Sequence, residues 1–217
     1  LRYLEAAQSF GVQDDGKGLD LFFDDAVRLN VERIIGERFG STAQFIGLCP
    51  SAKHNTKMWL KERFAVVGAE LGTTYGHPVM LFGSEVERER CEEIAAMIER
   101  RAAGLPVMNL AGRLSLAETA AAMDRCRVVV TNDSGLMHMA AARKRPVVAI
   151  FGPTVKEFGF FPFGTRSVVV ERRNVPCRPC THIGMAACPK NHFQCMNDIT
   201  PQQVTDAVGT LLSPDAG

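Results

Sequence analysis

One stretch of the chain decides the fold, and it reads Val128-Val129-Val130-Thr131-Asn132-Asp133-Ser134-Gly135-Leu136-Met137-His138. A β-branched run passes here into a polar corner that contains a glycine, and then into a stretch that favours a helix. This order places the unpaired N–H groups and the positive dipole end of a helix directly after a strand, which favours phosphate binding. The alternative is an ordinary helix start, with the asparagine or the aspartate as its N-cap. That alternative does not account for His138, which lies one helical turn beyond Ser134 and can face the same opening.

Short apolar runs alternate with helix-like stretches along the rest of the chain. The runs lie at 44–49, 78–82, 106–110, 127–131 and 146–151, and the helix-like stretches at 61–71, 85–103, 115–125 and 135–143. This alternation predicts an α/β fold with a Rossmann-like, doubly wound parallel sheet. The runs are apolar throughout, as expected when helices cover both faces of the sheet. Ligands bind such sheets at the carboxyl ends of the strands, so the segments that follow the runs should open onto one edge.

Composition and charge describe an ordinary globular chain. Of the 217 residues, 46% are hydrophobic and 23% are charged, and the formal net charge is +1. Such a balance argues against a nucleic-acid-binding protein, which normally carries a basic excess. The sequence shows neither an apolar run long enough to cross a bilayer nor a signal-peptide pattern, which favours a cytoplasmic location. Because the chain begins at Leu1 rather than at a methionine, we expect a fragment of a longer protein.

The segments after the apolar runs carry the candidate binding residues. A polar loop after the first run contains Lys57 and ends at Trp59, and the turn after the second run contains Glu85 and Glu87. Each has a structural alternative, since a lone tryptophan is usually a packing anchor and first-turn acids complement a helix dipole. No Gly-x-Gly-x-x-Gly follows a strand, which argues against an NAD-binding domain.

Taken in order, these elements resemble glycosyltransferase family 9, the ADP-heptose:lipopolysaccharide heptosyltransferases, and especially the heptosyltransferase II type. The resemblance runs from about residue 45 to residue 204. It rests on Thr56-Lys57-Met58-Trp59, Leu110-Ala111-Gly112, the stretch 132–142, Phe151-Gly152-Pro153-Thr154 and the cysteine-rich tail. It implies a GT-B enzyme of two domains, of which this chain is the C-terminal half that binds the nucleotide-sugar.

The resemblance also implies an activity and a set of site residues. The activity is an inverting transfer of heptose from ADP-heptose to the lipopolysaccharide inner core, with no cofactor required. A different nucleotide-sugar donor and a non-catalytic nucleotide-binding module are the alternatives. The implied donor-binding residues are Lys57, Glu87, Asp133, Ser134, Gly135 and His138. Backbone donors, His138 and Lys57 would stabilise the leaving diphosphate, and Glu87, with Glu85 as its rival, best matches an acid near the nucleoside or sugar hydroxyls.

The resemblance further implies a division of the chain. Residues 1–18 are expected to be a remnant of the N-terminal acceptor domain, 19–40 a linker and a leading helix, and 41–217 the donor-binding domain. The family's general base lies in the N-terminal domain, so we expect no catalytic residue here, and an inactive fragment. Asp14, Asp15 and Asp24 are therefore interpreted as exposed turn acids. The family's Pro-Gly-Ala loop is Pro50-Ser51-Ala52 in this chain, which removes backbone freedom.

The seven cysteines fall into two groups. Cys49, Cys91 and Cys126 lie in or beside predicted core elements and should be buried apolar residues. The other four, with two nearby histidines, occupy one irregular segment and are Cys177, Cys180, Cys188 and Cys195, with His182 and His192. This ligand-rich composition makes them candidates for a structural zinc site. Free thiols in a loop ordered by packing are the alternative, since disulfides do not persist in a reducing cytoplasm.

Two further groups of residues bear on the acceptor. The basic residues of the tail are Arg172, Arg173, Arg178 and Lys190. We interpret them as solvated surface charge, with contact to an anionic acceptor or to the inner membrane as the alternative. The run Phe158-Gly159-Phe160-Phe161-Pro162-Phe163 is either an exposed loop that meets a lipid acceptor at the cytoplasmic face of the inner membrane, or a loop packed against the missing domain.

Overall fold

A six-stranded parallel sheet carries the fold in the computed structural model, which describes residues 2–213 and the side chains of residues 4–213. The strands are β1 (Phe45–Cys49), β2 (Val79–Leu81), β3 (Val107–Asn109), β4 (Cys126–Asn132), β5 (Val147–Phe151) and β6 (Ser167–Glu171). Their order is β3-β2-β1-β4-β5-β6, and each neighbouring pair is parallel. The order reverses between β1 and β4, and a ligand crevice is expected outside the carboxyl ends of these strands. The predicted doubly wound sheet is confirmed.

Helices connect the first five strands in turn. The α-helices of the described residues are α1 (Arg2–Ala7), α2 (Asp25–Phe39), α3 (Lys61–Tyr75), α4 (Arg88–Arg101), α5 (Leu116–Met123), α6 (Gly135–Ala142), α7 (Gln194–Asn197) and α8 (Pro201–Leu212). Short 3-10 turns lie at Gln8–Phe10, Asn55–Lys57, Glu85–Glu87 and Lys156–Phe158. Between residues 2 and 213, no helix has the length and apolar character that spanning a membrane requires.

Both faces of the sheet are covered. Alternate side chains of a strand point to opposite faces, so Ile46 joins one apolar cluster and its neighbour Phe45 joins the other. Helices α3, α4 and α8 contribute to the first cluster, and α2, α5 and α6 to the second. Trp59 is fully buried, and its Nε1 donates to the backbone oxygen of Ile199 at 3.1 Å. This tryptophan is therefore a packing anchor and not part of a ligand surface.

The predicted strands and helices are all present, but three further elements, β6, α7 and α8, were not predicted. Strand β6 is an edge strand, mostly half-buried, and its valines follow a loop rich in phenylalanine and proline. Its pairing with β5 makes it a strand, and that pairing is not visible in the local sequence. Helix α4 begins at Arg88, later than predicted, because Ser84 and Glu87 form a capping box around the preceding 3-10 turn.

The N-terminal region contacts the main domain at several points. Helix α2 buries Val31 and Ile35 in the second apolar cluster. Further upstream, Gly18 lies against Gly164, so closely that a Cβ on Gly164 would be 2.3 Å from the Cα of Gly18. The assignment of residues 1–18 to another domain stays a prediction. Residue 1 and residues 214–217, which the predicted division also included, lie outside the described residues.

Two of the predicted turn acids and the three predicted core cysteines lie where the sequence indicated. Asp14 and Asp15 are exposed and cap tight turns. Cys49, Cys91 and Cys126 are almost fully buried. Burial raises the pKa of Cys91 to about 12 and has the same effect on Cys126, so neither thiol is a nucleophile at neutral pH.

The third predicted turn acid has a defined structural role. Asp24 accepts a hydrogen bond from the backbone N–H of Val27 at 2.9 Å and is the N-cap of α2. A carboxylate at this position satisfies one of the free N–H groups of the helix and complements its dipole. The structure thus gives Asp24 a capping function.

Candidate functional site

The candidate site is a cleft of about 380 Å³ at the carboxyl ends of β1 and β4, where the strand order reverses. It lies between the loop after β1, the start of α6, the loop after β5 and the cysteine-rich segment 177–195. Its ionisable lining residues are Lys53, His54, Lys57, Asp133, His138 and His182. Five of these six side chains are lysines or histidines. The cleft therefore suits an anion.

Lys57 and Asp133 form a buried ion pair in this cleft. Lys57 Nζ lies 2.7 Å from Asp133 Oδ2, and the two side chains are 12% and 5% exposed. The same carboxylate oxygen accepts a hydrogen bond from Thr154 Oγ1 at 2.7 Å. An ammonium has three N–H donors, so Lys57 keeps donors for a ligand while Asp133 fixes its position. Two residues predicted from separate parts of the sequence are thus brought into direct contact.

Unpaired polar atoms gather at the same edge of the sheet. Among the described residues, the buried side-chain polar atoms without a partner are Ser51 Oγ, Asn132 Nδ2, Ser134 Oγ and Arg178 Nε. The first three lie directly after β1 or at the end of β4. Buried polar groups without a partner are rare in proteins. Their concentration here indicates that the edge is built to bind a polar group.

The start of α6 is open to the cleft. Ser134 is its N-cap residue, yet its hydroxyl makes no capping hydrogen bond. Gly135 follows as the first helical residue, and a Cβ placed on it would have no atom within 4 Å. The free N–H groups and the positive dipole end of this helix therefore face accessible space. This is the arrangement that binds phosphate at a helix N-terminus.

His138 lies one turn further along α6 and is half-buried. Burial lowers the pKa of its imidazole, the Asp133 carboxylate opposes this shift, and the Lys57 ammonium adds to it. The ring is therefore mostly neutral at neutral pH. An anion beside it would favour the protonated form. His138 can thus supply either a hydrogen bond or a positive charge to a bound anion.

The structure distinguishes Glu87 from Glu85. Glu87 lines an adjoining cleft of about 290 Å³ that also contains Ser134 and Gly135. Its carboxylate accepts hydrogen bonds from the N–H and hydroxyl of Ser84 at 2.6 and 2.8 Å. Glu85 is exposed and pairs with Arg88 at 2.5 Å, outside this cleft. Glu87 is therefore the acid that shares a surface with the start of α6.

The adjoining cleft also has an apolar wall, besides polar lining residues that include Lys53 and Ser51. Its lining includes Leu116, Leu136 and Met139, and Leu116 is 75% exposed. A flat, partly apolar group can rest against such side chains while a polar edge reaches Glu87.

A larger cleft of about 620 Å³ lies on the other side of His138. It is bounded by the N-terminal segment and by the loop after β5. The rings of Phe160 and Phe161 line it and are half-buried. Phe161 packs on Phe151 with ring centroids 4.4 Å apart, and Phe160 packs edge-on against His182. Phe160 and Phe161 are therefore packed in part on side chains of their own domain.

The cysteine-rich segment does not present an assembled metal site. Cys177 Sγ and His192 Nε2 lie 3.6 Å apart. Over residues 2–213, however, no three histidine, cysteine or acidic side chains are arranged to hold one ion. The candidate ligands are therefore not gathered around one point as placed, and the zinc site stays a prediction.

One of the basic residues of the tail is buried, contrary to the prediction. The Arg178 side chain is 4% exposed and pairs with Glu171, whereas Arg173 is 83% exposed. Arg172 and Lys190 are exposed, as predicted. The tertiary fold, and not the local sequence, places the Glu171 carboxylate and the backbone oxygen of Thr154 beside Arg178.

Sequence reasoning missed several residues of the site. Thr154 was part of a motif but received no role, because its contact with Asp133 joins the ends of two strands. His182 was considered as a metal ligand, yet it lines the anion cleft from a segment far away in the sequence. Lys53 and His54 belong to the loop of Lys57 and also line the cleft, and their basic character is the signal by which they could have been found.

A Rossmann-like sheet with a cleft at its switch point is typical of the α/β domains that bind nucleotides and other phosphorylated ligands. The chain belongs to glycosyltransferase family 9 (heptosyltransferase), whose family model matches residues 6–190. The resemblance seen in the sequence is thereby confirmed.

Several known proteins are similar to this chain. Lipopolysaccharide heptosyltransferase 2 of Escherichia coli K12 is 35% identical over 173 residues, which cover 79% of this chain and 48% of the relative. The solved structure of the E. coli ADP-heptose lps heptosyltransferase II has a TM-score of 0.69 at 30% identity, over 89% of this chain and 53% of that chain. A family 9 glycosyltransferase from Veillonella parvula has a TM-score of 0.77 at 26% identity, over 97% and 58%. The chain spans about half the length of the curated relatives it matches.

Proposed function

We propose that this chain is the donor-binding half of an inverting heptosyltransferase that transfers heptose from ADP-heptose to the lipopolysaccharide inner core. The observation that carries the proposal is the meeting of Lys57, His138, the open start of α6 and the unpaired Ser134 hydroxyl in one cleft. The heptosyltransferase 2 relatives support the choice of donor and acceptor.

The cleft supplies what a leaving diphosphate requires. The N–H groups at Gly135 and the hydroxyl of Ser134 donate to phosphate oxygens, and Lys57 adds a positive charge held in place by Asp133. His138 contacts the phosphate nearest the sugar, since it lines both the anion cleft and the larger cleft beyond it. Donors fixed in position before the reaction stabilise the charge that develops as the glycosidic bond breaks.

The two neighbouring clefts give the donor its orientation. The nucleoside occupies the cleft of Glu87, where the carboxylate accepts from the ribose hydroxyls and Leu116, Leu136 and Met139 contact the base. The heptose then extends past His138 into the larger cleft, which receives the acceptor hydroxyl as well. The general base belongs to the N-terminal domain in this proposal.

The location of the enzyme and its metal content are separate parts of the proposal. We place the reaction in the cytoplasm, at the inner face of the membrane where a lipid-linked acceptor is available. Co-sedimentation with liposomes tests the membrane contact, and equal binding by wild type and a Phe160→Ser/Phe161→Ser variant removes these rings from it.

Metal analysis of protein expressed with zinc and purified without chelator tests the zinc hypothesis, which fails if no ion is found.

Calorimetric titration of the 217-residue chain with ADP, UDP and GDP, each with and without magnesium, tests the proposed function. Selective binding of ADP without a magnesium requirement is the expected result. A preference for UDP or GDP favours a family member with another donor. Turnover by a chain extended upstream, with ADP-heptose and an inner-core acceptor, then separates an enzyme from a non-catalytic nucleotide-binding module.

A further inference from the structure

Arg178 is a buried cation in an otherwise irregular segment. Its guanidinium pairs with Glu171 of β6, and its Nη2 also donates to the backbone oxygen of Thr154 at 2.6 Å. The side chains of Arg178 and Glu171 are 4% and 10% exposed. A buried ion pair is a poor source of stability, because desolvation offsets most of its attraction. Because Arg178 lies next to the loop after β5, it can instead serve to position that loop.

The contact with Thr154 leads directly to the anion cleft. Thr154 is fully buried, and its hydroxyl donates to the carboxylate oxygen of Asp133 that also pairs with Lys57. Arg178 therefore holds the backbone of the residue whose side chain holds Asp133. Each of the links from Arg178 to Lys57 is a hydrogen bond or an ion pair of 2.6 or 2.7 Å.

The same segment also fixes the loop that carries Lys57. Met185 donates its N–H to the hydroxyl of Thr56 at 2.8 Å, and its carbonyl oxygen accepts from the Thr56 N–H at 3.1 Å. Gly184 is so close to His54 that a Cβ there would lie 2.5 Å from the histidine Cβ. Residues 177–195 thus contact both sides of the Lys57–Asp133 pair.

We propose that Arg178 is a positioning residue for donor binding, which acts through Thr154 and Asp133 on Lys57. The cysteine-rich segment is then the part of the fold that holds the diphosphate-binding lysine in place. This inference rests on the proposed function, in which Lys57 contacts the donor diphosphate.

Two conservative substitutions interrupt the chain of contacts. Thr154→Val keeps the shape of the side chain and removes its hydroxyl. Arg178→Lys keeps a positive charge for Glu171 but lacks the planar guanidinium, whose Nη1 donates to the backbone oxygen of Arg172 while Nη2 reaches Thr154 and Glu171. Arg173→Lys is the matched control, since Arg173 pairs with the same Glu171 at 2.9 Å and is 83% exposed. ADP affinity is measured by calorimetry, and folding is checked by thermal unfolding.

We expect ADP affinity to fall about tenfold for Thr154→Val, by a smaller factor for Arg178→Lys, and not at all for Arg173→Lys. The deciding measurement repeats Thr154→Val and Arg178→Lys in a Lys57→Met background, where neither should weaken binding further. A double-mutant cycle of this kind isolates an effect that passes through Lys57 from a general loss of structure.

The outcomes separate the inference from the function on which it rests. If the wild type does not bind ADP, or if Lys57→Met leaves affinity unchanged, the proposed site is wrong and the inference falls with it. If Lys57→Met weakens binding but Thr154→Val and Arg178→Lys do not, the inference alone is overturned. Equal losses with and without Lys57 would also overturn it, because the effect would not pass through the lysine.

Discussion

Replacement of Lys57 by methionine should affect both stability and binding, and the structure sets the size of each effect. The substitution leaves the Asp133 carboxylate, which is 5% exposed, with only the Thr154 hydroxyl as a partner. Removing one member of a buried ion pair typically costs about 3–5 kcal/mol. Because Lys57 itself is 12% exposed, we expect the lower end, about 3 kcal/mol of unfolding free energy. Loss of a charged hydrogen bond to the diphosphate should weaken ADP binding by about 2 kcal/mol, roughly thirtyfold.

Urea unfolding followed by circular dichroism measures the stability, and calorimetric titration measures ADP affinity. The matched control is Lys61→Met, since Lys61 pairs with Glu93 at 2.5 Å in a pair whose side chains are 36% and 45% exposed. An exposed pair contributes about 0–1 kcal/mol, so this variant should unfold nearly as the wild type does and bind ADP unchanged.

A double variant separates the two effects. Lys57→Met/Asp133→Asn removes both charges, so most of the lost stability should return while ADP affinity stays low. The reasoning is refuted if Lys57→Met is no more destabilising than Lys61→Met, because the pair would then not be buried as described. Unchanged ADP affinity in Lys57→Met would remove this lysine from the site.

Three further predictions concern single residues of the site. Gly135→Ala should leave stability unchanged or raise it by up to about 1 kcal/mol, because the new methyl meets no protein atom, and should weaken ADP binding in calorimetry because that methyl enters the cleft. Glu87→Gln should weaken ADP binding severalfold and Glu85→Gln should not, so equal affinities in the two variants would contradict the placement of the ribose. The pKa of His138 is lowered in the free protein and should rise when the diphosphate binds, so proton uptake should make ADP binding tighter as pH falls from about 8 to 6. The His138→Gln variant, measured under the same conditions, controls for protonation of ADP itself and should show a weaker pH dependence of ADP affinity than the wild type. An identical pH dependence in the two proteins would exclude His138 from phosphate contact.

Part of this site follows from the sequence because it depends on local order and a general rule of topology. The stretch 128–138 specifies a strand, a turn and a helix by its own residues, and parallel strands bring their carboxyl ends to one edge. Lys57 could therefore be assigned to the same edge as Ser134 and His138 without knowledge of the contacts. The anion cleft at the switch between β1 and β4 lies where this reasoning puts it.

The sequence by itself thus determined the first five strands, the helices between them and which residues follow the carboxyl ends of these strands, since apolar periodicity and helix capping act over a few residues. Only the tertiary structure decided that Glu87 and not Glu85 faces the cleft, that Arg178 is buried, and that β6 completes the sheet. The pairing of Lys57 with Asp133 was decided in the same way. Each of these outcomes depends on contacts between residues that are far apart in the sequence. Such contacts bury the side chains away from water, and no local sequence pattern encodes them.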